Sequence, residues 1–234
     1  MTADGASITY DADRVIKRYV NRAWLAREPD LATREAAALE LLASAKLPFA
    51  TPKVLSVDRD TIVMTRLPGE PHSNPPSIER LAEVGVALHE VAAPAGFRRF
   101  RRYGRIEAVP SWTSRALLWE RAIEVADRAR AVDVATSFIH RDHHAGNVLW
   151  VGGEVSGLVD LVEACVGPTA IDAARVRLNL VRHVGLDAAA RYARCPGVVV
   201  DPRWDLVDAI DMVSSGAPAE WIEPFVAAAL GELG

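Results

Sequence analysis

A chain of 234 residues, half of them hydrophobic, with a mean hydropathy of +0.08, has enough apolar material for one large or two small cores and is excluded from the disordered class. Its net charge of −4 denies it the basic footprint that general nucleic-acid binding draws on through counterion release. Two cysteines, Cys165 and Cys195, make no disulfide framework, the polar start MTADGASITYDADR is no signal peptide, and no apolar run reaches the roughly 18 residues of a membrane span, so a cytoplasmic protein is expected.

In chain order, ASITY (residues 6–10) and RVIKRYV (residues 14–20) are β-branched or aromatic runs joined by Asp11-Ala12-Asp13, which predicts a hairpin. The period of two puts Val15, Lys17 and Tyr19 on one face; a lysine there also suits an edge strand guarding against aggregation. Residues 31–45, LATREAAALELLASA, are strong helix formers with an apolar stripe at Leu31, Ala38, Leu39 and Leu42. Glu35, in the first half of that helix, is favoured by the dipole even if exposed. KVLSV and TIVMTRL predict two more strands about Asp58-Arg59-Asp60, and Pro68-Gly69-Glu70-Pro71 turns the chain away from helix. Residues 77–91 form an amphipathic helix capped by Ser77, its buried stripe Ile78, Leu81, Val84 and Leu88.

GFRRFRRYGR (residues 96–105) sets five arginines among aromatics. It suits an acidic partner or a single nucleic-acid strand, but the acidic balance of the chain favours a solvated loop. A long helix is expected over residues 112–131. Beyond Asp172 the sequence is helical throughout, and residues 201–234 hold seven acids against one arginine. These predict an acidic surface carried by Asp205, Asp208, Asp211, Glu220 and Trp221, either a lure for a cationic ligand or a source of solubility.

The densest chemistry lies between His140 and Asp172. Asp142 sits in a His-Arg-Asp tripeptide, Asn147 follows five residues later, and Asp160 closes the apolar run VSGLVD after a Gly152-Gly153 turn. NVLWV and VSGLVD read as a β-hairpin, which brings Asn147 and Asp160 to one end. Two hard oxygen donors suit magnesium, which takes one or two carboxylates along with substrate phosphates; Asp142, on the preceding loop, suits accepting or orienting the proton of a hydroxyl. Three imidazoles, His140, His143 and His144, invite a zinc site, but no cysteine or carboxylate completes a familiar spacing, and a buried His140 bonded to loop backbone is the preferred reading.

Together HRDHHAGNVLW, VSGLVD and GPTAID resemble the catalytic core of the aminoglycoside phosphotransferase family, a branch of the protein-kinase-like fold, over most of the chain. The resemblance implies that Asp142 is the catalytic carboxylate, that Asn147 and Asp160 bind magnesium, and that Asp172 is structural, with Gly167 also matched. Lys17 resembles the ATP-anchoring lysine, with Glu35 as its partner. Thr65 to Leu67 would meet the adenine edge, with Met64 lining that pocket or simply packing the core. Arg141 departs from the pattern, since the family usually has glycine there. So does the start, where only Gly5 precedes the first expected strand and no glycine-rich phosphate loop is expected.

The expected fold is therefore α+β and two-lobed, with a reduced antiparallel-sheet lobe to about residue 66 and a mainly helical lobe over residues 67–234. The implied activity is magnesium-dependent transfer of the γ-phosphate of ATP or GTP to a hydroxyl of a small molecule, with a cationic acceptor of the aminoglycoside type as the first candidate. Alternatives are a metabolic kinase acting on an amino alcohol, sugar or homoserine, and a non-catalytic ligand-binding module of the same fold.

Overall fold

A computed structural model describes residues 2–3, 5–102, 108–129, 136–214 and 219–233. The fold class is α+β, small antiparallel sheets followed by helices. Contacts group the chain into two compact units, residues 1–72 with 146–164, and residues 73–145 with 165–234. The ribbon that carries Asn147 is thus counted with the first unit, not with the second, where a break at residue 66 had put it. No helix among the described residues is long and apolar enough to cross a membrane.

The first unit holds an antiparallel sheet of β1 (Thr2–Ala3), β2 (Ala6–Tyr10), β3 (Arg14–Tyr19), β4 (Val54–Asp58) and β5 (Thr61–Thr65), in the order β1-β2-β3-β5-β4. The β2–β3 turn closes as its residues predict: the Asp11 N–H donates to the Arg14 carbonyl (2.9 Å) and the Ala12 N–H to Asp11 Oδ1 (2.8 Å). In register, Lys17 stands between Ile8 and Ile62, so its stem lies among apolar neighbours. A short helix, α1 (Arg22–Arg27), was not foreseen; Asn21 caps it by accepting the Trp24 N–H at 3.0 Å, a signal available in the sequence. Helix α2 (Leu31–Ala43) buries the expected stripe of Leu31, Ala38, Leu39 and Leu42, each leucine contributing about 2 kcal/mol by leaving water.

The same unit contains the expected ribbon, β8 (Val148–Val151) and β9 (Glu154–Leu158), extended on its other edge by β6 (Glu70–Pro71), a two-residue strand within the expected chain turn. Gly152 and Gly153 both have positive φ, 59° and 89°, as a tight two-residue hairpin turn requires.

The second unit comprises α3 (Ile78–His89), α4 (Ala116–Arg128), α5 (Thr169–His183), α6 (Leu186–Ala193), α7 (Pro202–Val213) and α8 (Glu223–Glu232), with a two-stranded sheet of β7 (Thr136–Ile139) and β10 (Cys165–Pro168). Helix α3 matches its prediction, Ser77 Oγ accepting the Arg80 N–H at 3.2 Å. Helix α4 is shorter than expected, and the end of the predicted segment, residues 130–131, lies outside the described residues. Trp119, Ile171, Trp204, Leu206, Ile210 and Phe225 share one core. The β7–β10 pair was missed because each strand is four residues long and has no alternation to betray it.

The arginine-rich segment is only partly solvated over its described part: Arg99 and Arg101 are exposed, while its backbone and aromatic rings pack inward. The Phe100 N–H donates to the Val166 carbonyl (2.8 Å), and the Val166 N–H to Arg98 (2.7 Å). Phe100 packs edge-on against Trp204 with ring centres 5.6 Å apart, and Phe97 against Phe138 at 5.5 Å. Residues 103–105 of that segment lie outside the described residues.

Candidate active site

In the first unit, Lys17 is 6% exposed and Glu35 1%, so neither is the solvated residue that chance placement would give. Lys17 Nζ donates to Glu35 Oε1 at 3.1 Å and to Asp160 Oδ1 at 2.7 Å. Burial pulls the ammonium pKa down, but the two carboxylates outweigh it and the net shift is upward, so Lys17 stays charged. Tyr19, one face-step along β3, was unassigned by the sequence: its hydroxyl donates to Glu35 Oε2 and its ring centre lies 5.2 Å from Lys17 Nζ. Burial first, and Glu35 second, push the phenol far above its ordinary range, so it remains a donor. The period-two pattern that singled out Lys17 also contained this residue.

Asp160 joins the cluster through backbone conformation as well as charge. Its φ of 66° is left-handed, a region that Asp tolerates better than most side chains. The Val159 N–H donates to the Asn147 carbonyl at 3.0 Å, so the ribbon does bring Asn147 and Asp160 to one end. Two oxygen-bearing side chains there, with Asp160 35% exposed, fit the ligand set magnesium takes when water and phosphates fill the remaining positions.

Of the expected adenine-edge residues, Met64 is buried in β5 opposite Val15 and Val54. The Thr65 N–H donates to the Lys53 carbonyl at 2.9 Å and the Arg66 N–H to the Asp13 carbonyl at 2.8 Å. Those two donors are therefore committed to the sheet. At the start of the chain, Gly5 precedes β2 with a φ of 119°, and a Cβ there would come within 2.8 Å of the Trp24 ring.

Asp142 belongs to the second unit and is 37% exposed. His144 Nε2 lies 3.7 Å from its Oδ2 and Arg175 Nε 3.6 Å from its Oδ1. Burial alone would raise its pKa, but His144 and the Arg175 guanidinium hold it well below the usual carboxylate range. The loop that carries it hangs on Asp172, whose carboxylate accepts the backbone N–H of His140 at 2.9 Å and of Arg141 at 2.7 Å, and lies 3.1 Å from His89 Nε2. Asp172 stands in the first turn of α5, where a helix favours negative charge.

The histidines diverge. His140 is fully buried, and His143 Nε2 faces the Leu81 carbonyl at 3.4 Å, with burial pulling its pKa down to about 3. Among the described residues no three His, Cys, Asp or Glu side chains are grouped to hold a metal.

The expected acidic surface is largely absent. Asp205, Asp208 and Asp211 are buried, facing arginines: Arg177 meets Asp205, Arg141 Nη1 and Arg175 Nη2 meet Asp208 Oδ1 at 3.2 and 3.1 Å, and Arg141 Nη2 meets Asp211 Oδ2 at 2.6 Å. Arg141 also has a left-handed φ of 70°, which accounts physically for the glycine that the resemblance leads one to expect there. Gly167, the other matched glycine, is set by space: a Cβ would come within 2.7 Å of Phe100 Cβ and 2.8 Å of Ile139 Cδ1.

A search of solved structures finds this fold among kinase-like phosphotransferases. An aminoglycoside phosphotransferase, APH(4)-Ia in a thermostable mutant form, is similar at a TM-score of 0.62 and 15% identity, over 98% of this chain and 94% of that one. Macrolide 2'-phosphotransferase MphH from Brachybacterium faecium is similar at 0.55 and 19% identity, over 96% and 88%. The amicoumacin kinase hAmiN, in complex with AMP-PNP, Ca2+ and Ami, is similar at 0.58 and 11% identity, over 99% and 88%. No curated protein matches the chain. The sequence pattern of the phosphotransferase enzyme family, APH, matches residues 7–234, and the chain belongs to that family.

Proposed function

We propose that this phosphotransferase moves the γ-phosphate of ATP or GTP to a hydroxyl of a small molecule, with magnesium as the bound ion. The observation that carries the reading is the Lys17–Glu35–Asp160 cluster, with Asn147 at the same end of the ribbon. Phosphoryl transfer demands charge neutralisation and positioning more than covalent chemistry, and a buried lysine kept cationic by two carboxylates is suited to phosphate oxygens. Magnesium, when bound, would neutralise phosphate charge; Asn147 and Asp160 are the residues that would hold it. Asp142, with a depressed pKa, is ionised across the physiological range, so it accepts a hydrogen bond from the acceptor hydroxyl and orients it. Leu67 offers its N–H to the base. Solved relatives bound to AMP-PNP or ADP with hygromycin B support a nucleotide and a small acceptor here. The buried state of Asp205, Asp208 and Asp211 removes the reason to require a cationic one.

Asp142→Ala is expected to abolish most turnover while leaving nucleotide affinity nearly intact. The assay is coupled ADP release across a panel of aminoglycosides, macrolides, amino alcohols, sugars and homoserine, with a calorimetric titration of ATP in the presence and absence of magnesium. Unchanged turnover in the variant sinks the assigned role. No magnesium-dependent heat in the wild type supports a non-catalytic binding module instead.

A further inference from the structure

Asp142 stands at the end of a run of alternating charges that reaches α7. Arg175 Nε lies 3.6 Å from Asp142 Oδ1, and its Nη2 lies 3.1 Å from Asp208 Oδ1. Asp208 is shared with Arg141, which continues to Asp211. The side chains of Arg175 and Asp208 are 8% and 0% exposed, that of Asp142 37%. A guanidinium is a rigid planar fork, so carboxylates on two of its edges fix both its reach and its roll. One side of Asp142 is thereby held from within the unit by Arg175.

We propose that Arg175 is the positioning residue of Asp142, with Asp208 on α7 fixing the guanidinium from its other edge. The role in turnover rests on the phosphotransferase reading; the contact does not. Nothing in the matched motif points to Arg175, but its place is legible once the fold is known: Asp172 and Arg175 are three residues apart on α5, hence on one face of the helix. Asp172 holds the backbone of the loop and Arg175 its side chain, so one helical face sets both. Arg141, although adjacent to Asp142 in sequence, sends its guanidinium over the Phe100 ring, 4.9 Å from its centre, toward Asp208 and Asp211. The competing account makes the whole network a brace between loop and helix. A brace would lower thermal stability when cut, and a lysine, which keeps the charge without the fork, would then restore turnover in full.

The test reads the ionisation of Asp142 first and turnover second. In full-length protein carrying 13C-carboxylate aspartate, the Asp142 signal, assigned by its loss in Asp142→Asn, is followed against pH in the wild type, Arg175→Gln, Arg175→Lys and Asp208→Asn. The titratable and charged groups that act on Asp142 include His144 and His140 from its own loop, Arg175 from α5 and Asp208 from α7. Losing an opposite charge at this range raises a carboxylate midpoint by about 1–3 units, and that rise is expected in Arg175→Gln. Arg175→Lys, which keeps charge without the fork, is expected to return the midpoint most of the way, and it serves if the glutamine variant does not fold. Where an acceptor has been found, kcat is expected to fall at least tenfold in Arg175→Gln with KM for nucleotide unchanged, and to recover only in part with lysine. An Asp142 midpoint unmoved in the glutamine variant, or equally in a lysine variant with normal turnover, overturns the proposal and leaves the phosphotransferase reading standing. A wild type that turns over no acceptor counts against that reading alone.

Discussion

Arg141→Gly places at this position the residue that its backbone conformation favours, and it is expected to destabilise the protein all the same. The φ of 70° costs a non-glycine residue about 1–2 kcal/mol, which glycine recovers. Against this, the guanidinium bonds Asp211 at 2.6 Å and Asp208 at 3.2 Å, both wholly buried, and stripping one partner from a buried ion pair costs about 3–5 kcal/mol. Each acid keeps a second arginine, Arg175 at 3.1 Å from Asp208 and Arg102 at 3.6 Å from Asp211, so the lower end applies. The net loss is then about 1–2 kcal/mol at neutral pH. Its pH dependence has a definite sign. Burial raises the Asp208 pKa above 3.8 despite Arg175 and Arg141, and removing Arg141 raises it further. A carboxylate whose folded pKa exceeds its unfolded one takes up a proton on folding, so stability falls as pH rises through that window. The variant deficit should therefore be larger at pH 8 than at pH 5. Urea unfolding of both proteins at the two pH values measures it. A variant as stable as the wild type at pH 8 would refute the reasoning, since the strain relief would then match everything the ion pairs contribute.

Tyr19→Phe removes only the hydroxyl that donates to buried Glu35; a loss of about 1–3 kcal/mol is expected, with weaker ATP binding as Lys17 gains freedom, and unchanged urea midpoint and calorimetric affinity would dissociate Tyr19 from the cluster. Gly167→Ala forces a Cβ to within 2.7 Å of Phe100 Cβ and should cost about 1–3 kcal/mol, read as a lowered thermal midpoint; an unshifted midpoint would mean that Phe100 yields freely. His143, depressed from 6.5 to about 3 by burial, contributes stability that is present above 6.5 and lost as pH falls toward 3. Replacing it with Gln removes that loss, so the penalty of His143→Gln should shrink by about 2–3 kcal/mol between pH 7.5 and pH 4.5, and a constant penalty would show that His143 titrates normally.

How far the site was legible varied with the kind of interaction. Asn147 and Asp160 follow from local grammar, because a glycine turn and two apolar runs dictate a ribbon whose ends meet. The stripe of α3 and the face shared by Val15, Lys17 and Tyr19 follow from periodicity. Lys17 against Glu35 lay beyond both, since a strand and a helix 18 residues apart carry no mutual signal; only resemblance paired them. The Lys17–Asp160 contact spans 143 residues and was not anticipated by any route. Local order is written in neighbouring residues, whereas the electrostatic partners that give a carboxylate its role are chosen by tertiary packing.

The acids of α7 show the same division from the other side. Counted as charges, Asp205, Asp208 and Asp211 promised a surface. Counted as positions, they stand three apart on one helical face, and the residues between them, Leu206, Val207, Ala209 and Ile210, are apolar. The structure buries that face, so its acids are met inside the protein by Arg141, Arg175 and Arg177. Charge alone pointed outward; tertiary packing turned it inward, toward the cations that neutralise it. The segment read as a lure for a ligand is better understood as the anchor for Arg141 and Arg175, beside Asp142.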